Sequence, residues 1–397
     1  MEILLIVGIF LALVFNFLNG HHDAANSIST VIATRVLSPL RAVGLAAVLN
    51  LIGPLFLTTA IAETISKGVV SPGFLTLEVI IIGILVASFW IFFTAYIGIP
   101  ISSTHAMVGG LLGSAVAYGG FQALILPNLD TILKIIIFSL LGALCGAGIF
   151  SALAKKLNEE HPRSFAPIGA LIGVVIAIPA TMVLNLLNVS GIVKIALFIV
   201  ISPCLGFIIA FILGIIVIRR WRNARSTLMN KRFNRLQILS ASFYSIGHGS
   251  NDAQHAMGVI TAMLVISGNL TDYSVPLWVI LLSSGAISLG TLTGGWKIVQ
   301  TMAKKITHLK PYQGFCAETG GGLVLVFVSL FGIPVSSTHA ISGCIMGVGA
   351  TRGSSAVQWS VVRQIVSAWI ITIPLTAVCG FLIFSVFQMV SGSIILS

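Results

Sequence analysis

The sequence predicts an all-α polytopic membrane protein with about twelve transmembrane passes, some of them re-entrant hairpins or broken helices. Three observations lead to this prediction. Of the 397 residues, 57% are hydrophobic and only 8% are charged, and the mean hydropathy is +1.09. Apolar stretches of about 18 or more residues, long enough to span a bilayer, recur along the chain. Two pairs of polar motifs repeat inside these stretches, which predicts two inverted-topology repeats.

The amino-terminal apolar segment runs from Ile3 to Leu18. It follows Glu2, has no basic region before it and has no small-residue cleavage site, so we expect it to stay in the mature protein. The five cysteines stand singly in apolar segments without C-x-x-C spacing, which indicates neither a disulfide framework nor a zinc site. They are expected to be packing residues.

Basic residues occupy short gaps between the apolar segments and predict the orientation of the chain. The segment from Arg219 to Arg235 contains seven basic residues and no acidic one. By the positive-inside rule it is cytoplasmic, as are the gaps near Arg41 and near Lys155. The gaps near Glu63, Asp130 and Asp272 are acidic or neutral and belong outside. These assignments place both termini on the outer side of the cytoplasmic membrane. Because the basic residues that give the net charge of +11 lie in these short gaps, the protein is not expected to bind nucleic acid.

Two motifs occur twice in the chain. The sequence GIPISSTHA at 98–106 returns as GIPVSSTHA at 332–340, and NGHHDAANSIST at 19–30 pairs with HGSNDAQHAMGV at 248–259. Because an odd number of predicted passes separates the two Asp motifs, their helices cross the membrane in opposite senses. The predicted divisions are 1–154 for the first inverted repeat, 155–237 for scaffold passes and the basic cytoplasmic loop, and 238–397 for the second inverted repeat.

Each Asp motif places polar residues on one face of an apolar helix. In the first copy these are Asn16, Asn19, Asp23, Asn26, Ser27 and Thr30, and in the second they are Ser245, His248, Asp252 and His255. A carboxylate at membrane depth requires water, a cation or a partner, so an intramembrane Asp indicates a functional site. The alternative is a helix-packing contact or a position close to the membrane interface.

Each SSTH motif is expected to begin a helix inside the membrane. Pro100 and Pro334 interrupt helical hydrogen bonding, and the Ser and Thr residues that follow are good N-caps. A half-helix amino terminus with hydroxyl donors suits a small oxyanion. Carboxylates beside such an anion would repel it unless cations lay between them, so the pattern predicts cation coupling. The alternative is that the SST residues only cap two ordinary helices, with His105 and His339 as structural hydrogen-bond partners.

The paired GHHDAAN and GSNDAQH motifs, together with the twin SSTHA loops, resemble the inorganic phosphate transporter (PiT) family, whose motif is G-A-N-D-V-A-N in each half. The segments AETISKG at 62–68, GGWKIVQTM at 294–302 and CAETGGG at 316–322 also look like family signatures, so the resemblance covers nearly the whole chain. His22 and His255 stand where the family usually has Asn, and Trp296 stands where Arg is common. These departures put the transfer of cation ligands in doubt, and the sequence leaves open whether the two histidines hydrogen-bond, titrate or fill space.

The resemblance implies roles for three groups of residues. Sodium would be held by Asp23, Asn26, Asn251 and Asp252. Phosphate would be held by Ser102, Ser103, Thr104, Ser336, Ser337 and Thr338. Transport would be sensitive to Glu63, Glu318 and Gln254. From the residues alone, Glu63 is expected at a solvated helix end, whereas Glu318 is either a cation ligand or an interhelical hydrogen-bond acceptor.

We therefore expect a symporter, not an enzyme, that imports inorganic phosphate with sodium by alternating access and carries no organic cofactor. The alternatives are proton coupling, transport of metal phosphate, a divalent-metal transporter and an intramembrane protease. A metal transporter would leave the SST loops idle. Duplicate loops argue against a single nucleophile such as Ser103 with His105. The passes from Phe165 to Ile218 carry no repeated motif and are interpreted as scaffold or as a homodimer interface.

Overall fold

The computed structural model describes residues 2–159 and 161–395, and its architecture is helical. Its helices in chain order are α1 (Glu2–Ala33), α2 (Pro39–Ile52), α3 (Ala60–Gly68), α4 (Leu77–Ile97), α5 (Ser103–Gly119), α6 (Leu129–Lys156), α7 (Ala166–Val183), α8 (Gly191–Arg220), α9 (Ser226–Ile266), α10 (Leu277–Thr293), α11 (Trp296–Gln300), α12 (Pro311–Leu330), α13 (Ser337–Ala350) and α14 (Trp359–Ile395). Within the described residues the only extended pairing is one isolated bridge between Val70 and Leu124. The predicted all-α fold class is confirmed.

Seven helices of the described chain are long and apolar enough to cross a membrane: α1, α4, α6, α7 with the turn before it, α8, α12 and α14. Two further pairs reach this length only together and are sharply bent. The segments Pro39–Leu55 and Ala60–Gly68 meet at 75°, and Leu277–Thr293 and Trp296–Lys305 meet at 63°. The chain is therefore a multi-pass membrane protein that includes broken helices. The number of passes stays a prediction. The side of the membrane on which the termini lie also stays a prediction, and Met1 and residues 396–397 lie outside the described residues.

The Asp motifs interrupt the apolar runs without interrupting the helices. Helix α1 continues through Asp23 to Ala33, and α9 extends over 41 residues through Asp252. Apart from His21, which is half-buried, the motif side chains of both helices are buried, including Asn19 and His248. Because an unbroken helix satisfies its own backbone groups, the polar character of each motif is carried by side chains alone.

Both SSTH motifs begin helices as predicted. The hydroxyl of Ser102 accepts a hydrogen bond from the backbone N–H of His105 at 3.2 Å, and α5 starts at the next residue after Ser102. Ser336 caps α13 in the same way through the N–H of His339, also at 3.2 Å. The remaining hydroxyls of each first turn face the interior of the protein, where they are buried.

Each SSTH helix packs closely against one long helix. A Cβ atom on Gly113 of α5 would collide with the carbonyl oxygen of Ala377 in α14, and one on Gly343 of α13 would collide with the carbonyl oxygen of Pro203 in α8. Contact this close between backbones is possible only because these positions are glycines. Helices α5 and α14 therefore form one tight pair, and α13 and α8 form another.

Helices α1–α5 and α9–α13 follow the same order: a long Asp helix, a bent pair, an apolar helix and an SSTH helix. The predicted division at residues 154 and 155 falls in the last turn of α6. The division at residues 237 and 238 falls inside α9, which begins at Ser226, so the basic loop continues directly into the second Asp helix. The assignment of these segments to inverted repeats, and of α7 and α8 to a homodimer interface, stays a prediction.

Candidate functional site

The centre of the candidate site is a hydroxyl between two carboxylates. The Ser337 Oγ lies 3.2 Å from Asp23 Oδ2 and 3.0 Å from Asp252 Oδ2. Asp23 comes from α1, Asp252 comes from α9, and Ser337 is the first residue of α13. All three side chains are buried. The structure thus brings together two of the four predicted cation ligands and one predicted phosphate ligand.

Asn26 connects the first Asp helix to the second SST loop. Its Nδ2 donates to Ser337 Oγ at 3.2 Å and to Thr338 Oγ1 at 3.0 Å. The Thr338 hydroxyl in turn lies 3.3 Å from Asp23 Oδ1. The predicted sodium and phosphate residues therefore form one hydrogen-bonded group here, rather than two separate sites.

His255, which the repeat aligns with Asn26, makes the corresponding contact with the other loop. Its Nε2 lies 3.0 Å from Thr104 Oγ1. The same hydroxyl is 3.4 Å from the carbonyl oxygen of Val335, which belongs to the second loop. Of the three roles left open for His255, the structure shows hydrogen bonding. Each Asp helix thus contacts the SST loop of the opposite half of the chain.

The two loops also meet through their histidines. The rings of His105 and His339 lie edge to face with their centroids 4.8 Å apart, and His339 stacks on Trp369 of α14 at 3.8 Å. Ser103 is buried next to Thr104, but its side chain makes no hydrogen bond with the described residues. Both helix amino termini consequently open onto the same interior region.

Each Asp has a histidine beside it. His22 Nδ1 lies 2.5 Å from Asp23 Oδ1, and His248 Nε2 lies 3.2 Å from Asp252 Oδ2. Ligand atoms of Asp23, His248 and Asp252 all lie within 4.8 Å of one another, a spacing that a metal ion could bridge. From the sequence, His248 was expected on the polar face of its helix and was not assigned to the site. Its separation of four residues from Asp252 was the available signal.

Asn251 supports Asp252 rather than facing it across the site. The Asn251 Nδ2 donates to Asp252 Oδ1 at 2.7 Å and to the carbonyl oxygen of Val335 at 3.1 Å. Its Oδ1 is buried and has no hydrogen-bond partner among the described residues. This amide therefore ties α9 to the second loop through its nitrogen, while its oxygen has no partner among the described residues.

Glu318 is an interhelical hydrogen-bond acceptor in this structure. Its carboxylate accepts hydrogen bonds from Thr30 Oγ1 at 2.5 Å, Gln237 Nε2 at 3.1 Å and Ser240 Oγ at 2.5 Å. These donors belong to α1 and α9, whereas Glu318 belongs to α12. The group joins three helices away from the two aspartates, so of the two predicted roles the structure shows the hydrogen-bonding one.

Gln254 and Glu63 both lie away from the carboxylate pair. The Gln254 Oε1 accepts from the backbone N–H groups of Ile61 and Ala62 at 2.9 and 3.1 Å, and so caps the start of α3. Glu63, in α3, pairs with Lys67 at 2.6 Å, and its side chain is 58% exposed. Glu63 therefore lies at a solvated helix end, as expected.

Comparisons with known proteins show the family to which the chain belongs. A model of the phosphate transporter family PHO4 matches residues 19–164 and 141–380. A probable low-affinity inorganic phosphate transporter of Rhizobium meliloti (strain 1021) is 40% identical over 385 residues, which are 95% of this chain and 96% of that protein. A protein of the same name from Bacillus subtilis (strain 168) is 34% identical over 399 residues, with coverages of 98% and 100%.

One solved structure, described as the sodium-dependent phosphate transporter, has the same fold. Its TM-score is 0.68 at 24% sequence identity, and the match covers 98% of this chain and 100% of that chain. The curated relatives are named as transporters, and none of these comparisons indicates an enzyme.

Proposed function

This chain belongs to the phosphate transporter family, and from that premise we propose that it imports inorganic phosphate as an ion-coupled symporter with sodium as the coupling ion. The observation that carries the proposal is the contact of Ser337 with both Asp23 and Asp252. Hard oxygen ligands of this kind suit a hard cation. The sodium-dependent structural neighbour adds support for that ion.

The contact also suggests why phosphate and cation would travel together. A serine hydroxyl has one proton to donate, so Ser337 cannot satisfy two carboxylates at once. A cation between Asp23 and Asp252 would neutralise their mutual repulsion. It would also release the Ser337 and Thr338 hydroxyls from the carboxylates, and they could then donate to a phosphate oxygen. On this proposal, the anion site forms only when the cation site is filled.

The two helix amino termini supply the remaining attraction for the anion. Helices α5 and α13 begin beside one another, as the contact between His105 and His339 indicates. The amino end of a helix carries free N–H groups and a partial positive charge. We assign phosphate to the space between these termini, with Ser103 and Thr104 on one side and Ser337 and Thr338 on the other.

We further propose that the two halves, residues 1–154 and 238–397, are inverted repeats that alternate access to this site. The proposal can be tested by membrane topology, since it requires the 219–235 loop to be cytoplasmic. In a variant without the five native cysteines, Asn223→Cys should resist a membrane-impermeant thiol reagent applied to intact cells. Labelling from outside would reject the orientation and the inverted arrangement with it.

The direct test of function is uptake of labelled phosphate by proteoliposomes that contain the purified protein. Parallel samples carry a sodium gradient, a proton gradient or no gradient. Sodium-driven accumulation that saturates with phosphate supports the proposal. Accumulation that follows only the proton gradient would identify the proton, and not sodium, as the coupling ion. The absence of accumulation under any gradient would reject coupled transport.

A second candidate rests on the proximity of Asp23, His248 and Asp252. A nitrogen ligand beside two carboxylates also suits a divalent transition metal, so the chain could carry a metal phosphate. The same uptake assay distinguishes the two when labelled manganese or cobalt is added. Metal that accumulates in step with phosphate favours the metal phosphate, whereas phosphate uptake in the presence of a chelator favours sodium.

A further inference from the structure

A large apolar cavity lies outside the candidate transport site. It has a volume of about 590 Å³ and lies between α7, α8, α13 and α14, with Leu171, Cys204, Phe207, Met346, Val366 and Trp369 among its lining residues. Its volume is in the range of cavities that hold small molecules. None of the residues proposed to bind sodium or phosphate lines it.

The cavity is continuous with the lipid-facing surface. Two of its lining residues, Val200 and Ile370, are 60% and 63% exposed, whereas Trp369 deeper in the cavity is only 4% exposed. In a bilayer, the acyl chains of lipids lie next to such an opening. An empty apolar space loses dispersion contacts on its lining, so entry of a chain from the surrounding lipid is favourable.

One end of the cavity lies next to a basic residue. Arg363 directly follows the lining residue Val362 near the start of α14, where Trp359 also lines the cavity. Arg352 donates to the carbonyl oxygen of His308 at 2.6 Å and so belongs to the same end of the helix bundle. After Glu318 the sequence contains no further acidic residue. An anionic headgroup at this end would meet positive charge without a competing carboxylate from α13 or α14.

Trp359 identifies this end as an interface position. Its indole N–H donates to the carbonyl oxygen of Ser354 at 2.9 Å, and 48% of the residue is exposed. Tryptophan with an apolar body and a hydrogen-bonded N–H is typical of the headgroup level of a membrane. A lipid with its headgroup beside Trp359 could extend its chain along the cavity toward Trp369.

We propose that this cavity binds an acyl chain of an anionic phospholipid, with the headgroup held at the end that contains Arg363. The lipid would lie next to the transport machinery, because Trp369 stacks on His339 at 3.8 Å and His339 contacts His105 at 4.8 Å. Apolar chains alone provide little preference among lipids, so the preference for an anionic lipid comes from the basic end.

The proposal can be tested by fluorescence quenching, which requires no transport. The chain contains six tryptophans, and a variant that keeps only Trp369 is reconstituted in phosphatidylcholine with increasing amounts of chain-brominated phosphatidylglycerol. Because Trp369 is shielded from bulk lipid, bromine reaches it only from within the cavity. We expect quenching that saturates, with half-saturation at an about fivefold lower mole fraction than with brominated phosphatidylcholine.

Four control variants locate the effect. A variant that keeps only Trp278, which is 42% exposed on α10, should be quenched without saturation and equally by both lipids. In the Trp369 variant, Cys204→Phe should weaken quenching by filling the cavity, whereas Cys379→Phe, which lies on α14 outside the lining, should not. Arg363→Gln should remove the preference for the anionic lipid and leave quenching by brominated phosphatidylcholine intact.

Three results would overturn the proposal. The first is a Trp369 signal that neither lipid quenches while Trp278 is quenched normally. The second is equal, non-saturating quenching of Trp369 by both lipids. The third is quenching that appears only when the protein is diluted in the bilayer, which would assign the cavity to a second copy of the chain. Since binding is measured directly, these results do not depend on whether phosphate transport is sodium-coupled.

Discussion

The two SST loops have nearly the same sequence but different surroundings. In the second loop, Ser337 contacts both Asp23 and Asp252, and both Ser337 and Thr338 accept from Asn26. In the first loop, Thr104 contacts His255 and a backbone carbonyl. Within the described residues, neither the Ser103 hydroxyl nor the Thr104 hydroxyl contacts a carboxylate. Near-identical sequences therefore do not produce equivalent halves of the site.

This difference indicates which of the two loops is expected to couple phosphate binding to the cation. A hydroxyl that is hydrogen-bonded to a carboxylate is expected to change its partner when a cation binds that carboxylate. A hydroxyl that is hydrogen-bonded to a histidine or a carbonyl is not. We therefore expect the second loop to respond to the cation and the first loop to serve mainly as a fixed donor to phosphate. That division can be tested by substitutions at the aspartates, at the two loops and at their neighbours.

The largest effect is expected from the aspartates. Asp23→Asn and Asp252→Asn should each lower sodium-driven phosphate uptake by about 100-fold, because Asn preserves size but removes the charge that holds the cation. Uptake by proteoliposomes checks this. Asp130→Asn is a matched control, since Asp130 forms only an exposed pair with Lys134. Normal uptake by both site variants would remove the carboxylates from the mechanism.

The second prediction compares the loops directly. Ser337→Ala should weaken phosphate binding in saturating sodium by about tenfold to 100-fold, and Ser103→Ala should weaken it by about threefold. The Ser337→Ala substitution removes a hydroxyl donor next to two carboxylates. Ser103, in contrast, makes no side-chain hydrogen bond with the described residues. Titration of the purified protein with phosphate measures both. Equal losses would show that the loops act as equivalent halves.

The third prediction compares two carboxylates outside the loops. Glu318→Gln should lower the free energy of unfolding by about 1–3 kcal/mol, because the side-chain amide cannot accept from all three donors that now point at Glu318. Glu63→Gln removes an exposed i,i+4 pair worth about 0.3–0.5 kcal/mol. Thermal unfolding in detergent, with uptake measured beside it, checks the order. A larger effect at Glu63 would indicate a role that this structure does not show.

The smallest effect is expected at His255. His255→Asn places at this position the residue type found at the aligned Asn26, and an amide can also hydrogen-bond Thr104. We expect phosphate uptake to change by about twofold or less, whereas His255→Ala, which leaves Thr104 without this partner, should cost about tenfold. A His255→Asn variant as impaired as His255→Ala would show that the imidazole itself is needed.

Much of the local structure could be predicted from the sequence. The starts of α5 and α13 were predictable because Pro and Ser act through their own backbone and the next turn. The buried polar faces of α1 and α9 were predictable because the spacing of polar residues in an otherwise apolar helix is a strong local signal. Asp23, Asp252 and Ser337 were expected at one site, and the structure brings them together.

Contacts between distant helices could not be predicted in the same way. Apolar membrane helices have no polar outer face that reveals their neighbours, so nothing in the sequence indicated that Gln254 caps α3 or that Glu318 binds donors from α1 and α9.

The glycine contacts of α5 and α13 limit how the loops can move. Because Gly113 lies against the backbone of Ala377 and Gly343 against that of Pro203, neither SST helix can slide or rotate far without its long partner. Each pair is therefore expected to move as one body. A shift of Ser337 at the start of α13 would then carry α8 with it along its 30 residues, so that an event at the candidate site would be transmitted toward the membrane surface.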